Sequence, residues 1–245
     1  MTQEIFVLGK SVRLLQPVEG GFRTSLDSVI LAAACPAKPG DRVLDMGCGV
    51  GGASFCLRHR ISGVLMTGVE IQAEYVDLAM KNVSLNGDTG RCEFIQGDIR
   101  SFRVSDPSQR FDHVLCNPPF LPTGSYMPSP DKPRATALGH LDDDIDLRDW
   151  IDCAFDNLKP GGMLTMIHRA DMVDKIIQCF GRRYGHCEIF PLWPHAGEAA
   201  KRVVIRARKE RRTPAILHAG LIIHNADGSY TDAAERVLRA GDALF

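Results

Sequence analysis

The stretch Asp45-Met46-Gly47-Cys48-Gly49-Val50-Gly51-Gly52 follows a short apolar run, Arg42 to Met46, and leads into a helical pattern near residues 53–60. Glycine has no Cβ, so such a loop turns tightly and lets a ligand lie against its backbone. Strand, glycine turn and helix in succession open a β/α unit, and the chain continues the alternation. Downstream, Val64 to Glu70 reads as a strand and Glu74 to Asn86 as an amphipathic helix stopped by Gly87. Cys92 to Ile95 and Phe111 to Cys116 read as further strands. Leu147 to Leu158 reads as a helix, Lys159-Pro160-Gly161-Gly162 as a turn, Met163 to His168 as a strand and Asp171 to Arg183 as a helix. His186 to Leu192 and Arg202 to Arg208 have no helix-length pattern between them, so they are expected to pair antiparallel. Upstream, Phe6 to Leu8 and Val12 to Leu15 flank a turn as a hairpin, and Ser25 to Cys35 is a helix with Ser25 as N-cap. The expected fold is α/β: a mostly parallel seven-stranded sheet, helices on both faces, and an antiparallel C-terminal hairpin. Residues 1–245 are expected to form one domain: a hairpin over 1–20, a core over 21–210, and an extension over 211–245 packed on that core.

The chain has 245 residues, 44% hydrophobic and 24% charged, with a net charge of -1. That composition excludes a disordered, collagen-like or coiled-coil chain. The run from Val29 to Cys35 falls far short of the ~18 residues that span a bilayer. The first residues lack the basic and apolar regions of a secretory signal, so a soluble, cytoplasmic protein without a membrane partner is expected. The 8 cysteines include no Cys-x-x-Cys pair, which argues for reduced, buried thiols and against a metal site. Charge is unevenly spread. Residues 201–212 are basic, and residues 142–156 are acidic, as at a helix start.

Two cofactor templates fit the glycine loop. Gly47, Gly49 and Gly52 match the GxGxxG dinucleotide pattern, with Glu70 as its ribose-binding acid. Asp45, Gly47, Gly49 and Gly51 match the DxGxGxG loop of S-adenosylmethionine-dependent methyltransferases. A carboxylate at Asp45 suits a cofactor carrying an ammonium and a sulfonium, and opposes an anionic pyrophosphate. Glu70 is placed to accept from ribose hydroxyls, Asp98 from an adenine amino group, and the Ile99 amide to donate to the ring.

A second motif, Asn117-Pro118-Pro119-Phe120, stands at the end of the fourth β/α strand, beside that loop. An amino group on an sp² carbon is a poor nucleophile because its lone pair is delocalised. Two acceptors on its N–H groups favour a pyramidal nitrogen: the Asn117 side-chain oxygen and the Pro118 carbonyl, with Pro118 and Pro119 fixing the local backbone. Phe120 offers a ring on which a planar base or amide stacks. Such a transfer needs neither a metal nor a strong base.

Together, residues 45–51, Glu70, Asp98 and Asn117 to Phe120 resemble the class I methyltransferases of exocyclic and amide nitrogens. The resemblance implies a Rossmann-like fold, S-adenosylmethionine as cofactor, and catalysis centred on Asn117, Pro118, Pro119 and Phe120. Phe22-Arg23-Thr24-Ser25-Leu26-Asp27, the basic strand and the segment from Tyr230 to Leu244 resemble the bacterial tRNA1(Val) (adenine-N6)-methyltransferase family. That likeness implies that Arg23 and Asp27 border the cofactor pocket, and that tRNA or another structured RNA is the substrate.

Alternation along the basic strand puts Arg202, Arg206 and Arg208 on one face, so with Lys201 they are expected to form a phosphate-binding surface. A protein N5-glutamine methyltransferase is the alternative, weakened by the short segment before the first helix. A non-catalytic S-adenosylmethionine- or RNA-binding module is a third reading, opposed by the intact Asn117 to Phe120 motif. His168 is expected to be a core histidine, Trp150 and Trp193 packing anchors, and Tyr126 part of a Pro-rich loop.

Overall fold

The computed structural model describes residues 1–18, 24–119 and 145–245. Arg23, Phe120 and Tyr126 lie outside the described residues.

The sheet grows in both directions from β3 (Arg42–Met46). On one side come β4 (Leu65–Glu70) and β5 (Cys92–Gln96), and on the other β6 (Phe111–Cys116) and β7 (Leu158–Arg169), all parallel. β9 (Arg202–Lys209) then pairs antiparallel with β7 and with β8 (Tyr184–Trp193). The anticipated seven strands are therefore present. Two short strands add to them: β10 (Ile216–Leu217) and β11 (Leu221–Ile222) pair parallel with β8 and cover part of its outer edge.

Helices fill both faces. α1 (Leu26–Ala34), α2 (Gly52–Arg60) and α3 (Ala73–Leu85) precede the central crossing, and α4 (Leu147–Asn157) and α5 (Val173–Phe180) follow it. Among the described residues, two large apolar clusters result, with a small third at Val50, Tyr75 and Leu78. One gathers Ile30, Phe55 and Leu57 of α1 and α2, and the other Ile151, Leu164 and Phe180. Ser25 caps α1 as expected, its side chain accepting from the Asp27 N–H. The acidic run does start a helix. Asp146 and Asp149 form a reciprocal capping box on α4.

The N-terminal hairpin, β1 (Thr2–Val7) and β2 (Val12–Pro17), is a separate two-stranded sheet. Buried Asn82 of α3 ties it down: its side chain accepts from the Leu15 N–H at 2.7 Å and donates to the carbonyls of Leu15 and Val50. After β11 come α6 (Asp232–Glu235) and a π-helical turn over Arg236–Ala240.

Two further expectations change. Lys159 to Gly162 lies inside β7 as an irregularity in its pairing with β6, because Gly161 takes φ +74 without breaking the strand. The helix expected over 171–183 is shorter, a 3₁₀ turn at Ala170–Met172 leading into α5.

The basic strand is corrected more deeply. β9 is hydrogen-bonded on both sides and covered on both faces, and Val203 to Ala207 are all buried. Alternation marks a solvated face only where one side of a sheet is open. Here Arg206 points into the protein, and its Nε donates to Glu188 Oε2 at 2.8 Å. A second donor reaches the Ala34 carbonyl at the end of α1, and the guanidinium lies 3.5 Å from the centre of the Phe245 ring. Arg208 donates to the Gly161 carbonyl at the opposite sheet edge from Arg202. No continuous cationic surface follows β9.

Candidate active site

Strand order reverses between β3 and β6, the point in an open α/β sheet where ligands bind at the carboxyl ends of strands. Met46 is in register with Cys116, so the residues that follow them emerge side by side. A cleft opens there. Asp45, Gly49, Glu70, Asp98 and Asn117 are among its lining residues, which come from four different strand ends.

Asp45 is buried at 3% exposure, and its Oδ2 accepts from the Ser54 hydroxyl at 2.6 Å. Burial pushes its carboxyl up to about 6; the Ser54 hydrogen bond opposes that shift and the nearby Glu70 charge adds to it. The next turn needs glycines. Gly47, Gly49 and Gly51 have φ of +63, +54 and +89. A Cβ on Gly47 would stand 2.6 Å from the Trp150 ring, and one on Gly51 would stand 2.5 Å from Phe55. At Gly49 a Cβ would meet nothing within 4 Å, so this glycine faces open space. The Val69 carbonyl accepts from the Gly47 and Cys48 N–H groups and clasps the turn to β4.

Glu70 is held from both sides. Its Oε2 accepts from the Gly49 N–H and its Oε1 from the Gln72 N–H, each at 3.0 Å. Asp98 follows β5, with Ile99 buried beside it. Its Oδ1 accepts from the Arg100 N–H at 2.8 Å, and the Arg100 guanidinium covers the carboxylate, holding its pKa below the usual range. Asn117 ends the set. Its Oδ1 is buried and meets no donor from the described residues. An orphaned acceptor costs about 1–3 kcal/mol unless a ligand donates to it.

Of the candidate site residues, the cleft brings together Asp45, Gly47, Gly49, Glu70, Asp98, Ile99, Asn117 and Pro119, while Gly51 and Pro118 are not part of its lining. Asp27 and the basic residues stand elsewhere. Asp27, in the first turn of α1, is buried and paired with Arg202 at 3.4 Å; burial raises its pKa and the arginine works against that. Two residues read separately, one for cofactor and one for RNA, meet each other. Lys201 is exposed at the start of β9. His168 is a buried histidine, and burial holds its pKa down to about 4.

Residues missed from sequence include Thr24, Ser28, Tyr75 and Trp150, all lining the cleft, and Ser54 beneath it. Ser54 carried a faint signal, a hydroxyl on the buried face of α2. Trp150 carried none, because 103 residues separate it from Gly47.

A family profile described as a methyltransferase domain matches residues 37–186, which contain the glycine turn, Glu70, Asp98 and Asn117. The chain belongs to this methyltransferase family.

The methyltransferase is 26% identical over 213 residues to the tRNA1(Val) (adenine(37)-N6)-methyltransferase of Aeromonas hydrophila, covering 86% of each protein. It is 25% identical over 219 residues to the enzyme of the same description from Shewanella sp., covering 86% of this chain and 88% of the relative. Among solved structures, a predicted O-methyltransferase from Agrobacterium tumefaciens superposes with a TM-score of 0.71 at 25% identity, over 89% of this chain and 98% of the other. As a member of this family, the methyltransferase depends on S-adenosylmethionine. The cleft is chemically suited to that cofactor: the carboxyl groups of Asp45 and Glu70 in its lining favour a cationic ligand, open space at Gly49 lets one approach the backbone, and the Asn117 oxygen lacks a donor from the described residues. Among the described residues, no helix is long and apolar enough to cross a membrane, and no cluster of side chains is placed to hold a metal ion.

Proposed function

We propose that this methyltransferase modifies the exocyclic N6 of an adenine in tRNA or another structured RNA. The observation that carries the reading is the buried, donor-less Oδ1 of Asn117, at the cleft shared with Asp45 and Glu70. A hydroxyl acceptor has one proton to give and no delocalised lone pair to localise. An amino group has two N–H donors and needs both held. The relatives described as tRNA adenine-N6-methyltransferases support the same substrate class.

In this reading Glu70 accepts from the ribose hydroxyls, Asp98 from the adenine amino group after sharing Arg100, and the Ile99 amide faces the ring. Asp45 holds the charge balance beneath Gly47, Gly49 and Gly51. S-adenosylmethionine, when bound, supplies an activated methyl on a sulfonium. Asn117 Oδ1 accepts a hydrogen bond from one N–H of the target amino group and the Pro118 carbonyl from the other, turning the nitrogen lone pair out of the ring plane; after methyl transfer the nitrogen loses one proton to solvent. Pro118 and Pro119 keep that carbonyl in place, and Phe120 stacks on the base. Because a base inside a duplex cannot reach Asn117, the target is unstacked, as in a loop. Arg23 keeps the role at the cofactor pocket that the family likeness implies, whereas Asp27 is paired with Arg202 instead.

Residues 1–245 act as one cytoplasmic enzyme domain in this reading. Supporting it, Asn82 holds the hairpin, and the Leu244 N–H donates to the Ala33 carbonyl of α1.

The test is labelled methyl transfer from S-adenosylmethionine to total tRNA and, in parallel, to a release-factor protein. Label in N6-methyladenosine after nuclease digestion is the expected result. Label in glutamine would support the protein alternative, and label on a hydroxyl oxygen would overturn the N-methyl reading altogether.

A further inference from the structure

Three rings stand in series beyond the carboxyl end of β8. The His195 and His224 centroids are 5.7 Å apart, and His224 stacks on Tyr230 at 5.1 Å with 19° between the planes. The turn that carries two of them is tightly built. The Asn225 N–H donates to the Ser229 carbonyl, the Asn225 side chain to the Tyr230 carbonyl, and Asp227 accepts from the Ser229 N–H and hydroxyl. Two backbone bonds fix this turn to the strand end: Ile223 N–H to the Trp193 carbonyl and His224 N–H to the Pro194 carbonyl. The His195 side chain is 42% exposed and contacts Glu198 at 3.2 Å.

Position gives the stack its meaning. β8 runs parallel to β6, so its carboxyl end lies on the same sheet edge as Asn117. Three strand spacings separate them, about 14 Å along the sheet. Exposed Lys201 closes the same ledge, its N–H donating to the Leu192 carbonyl. Half-buried rings fixed at the margin of the core, on the sheet edge that carries Asn117 and near exposed Lys201, are suited to unpaired bases, whose faces stack on aromatic side chains without sequence preference.

We propose that His195, His224 and Tyr230, with Lys201, form a stacking ledge for the unpaired nucleotides flanking the target adenine. The inference rests on the RNA reading above. An RNA loop that gives up its own stacking to extrude one base recovers part of it on these rings, and Lys201 meets a flanking phosphate.

Initial-rate kinetics of the full chain with total tRNA test this. His195→Ala and Tyr230→Ala are each expected to raise KM for tRNA about tenfold, with kcat and cofactor affinity near wild type. Tyr230→Phe, which keeps the ring, should restore the wild-type KM. His195 is the exposed variant, so it reads the ledge even where Tyr230→Ala lowers Tm. Wild-type KM in His195→Ala and in folded Tyr230→Ala would overturn the ledge while leaving the substrate intact. A wild-type enzyme that methylates no RNA would overturn both.

Discussion

In the proposed reaction Asn117 is the acceptor for the target amino group, since its Oδ1 is buried at the cleft with no donor supplied by the described residues. Losing one such pre-placed acceptor costs about 10²–10³ in rate. Asn117→Ala is therefore expected to lower kcat by that amount with cofactor affinity changed only a few-fold, as measured by single-turnover methylation and calorimetry. Asp45 makes a different prediction. Its carboxyl sits at about 6 in the folded protein because it is buried, so below that pH it is protonated. A cationic ligand favours the ionised form. S-adenosylmethionine affinity should thus rise between pH 5 and 7 and level off above, with proton release on binding at the acid end. Asp45→Asn should weaken binding and flatten this dependence; a titration series in buffers of different ionisation enthalpy checks both.

At the scale of elements, two buried polar devices do what apolar packing does not. Asn82 fastens β2 to α3 through both its oxygen and its amide. Asn82→Leu leaves the Leu15 N–H and carbonyl without those partners, at about 1–3 kcal/mol each way. Loss of hydrogen-exchange protection confined to residues 2–17 is the expected signature. Arg206 and Glu188 join β9 to β8 and to the end of α1, with side chains only 10% and 9% exposed. Removing one member strands a buried charge, so Arg206→Ala should destabilise by about 3–5 kcal/mol. Denaturant unfolding measures this, while Arg206→Met with Glu188→Leu should lose much less. The sequence shows an arginine on a strand in both cases, solvated or buried. What differs is whether a helix covers that face, and α1 covers it from 172 residues away.

Across the whole molecule, pH acts through groups of opposite sign. His168 titrates near 4 when folded against a usual 6.5, so it contributes stability that is lost as pH falls from 6.5 towards 4. Asp45 titrates near 6 against a usual 3.8, so its contribution grows as pH falls through the same window. Each shift corresponds to about 3 kcal/mol. The two act in opposite directions between pH 6.5 and about 4. Asp45→Asn removes one side of the balance. Its unfolding free energy should decline steadily across that range, and a flat profile in the variant would refute the pairing.

By itself the sequence determined the β/α alternation, the glycine turn after β3, the paired acids Asp45 and Glu70, and the Asn117 motif after β6. All of these are local patterns: periodicity, φ requirements at glycine, and a residue's distance along the chain from a strand end. Only the tertiary structure decided that Trp150 walls the cleft over Gly47, that Asp27 and Arg202 spend their charges on each other, and that Arg206 is interior. Those facts depend on which distant segment lies across a given face, and no spacing within a single element records that.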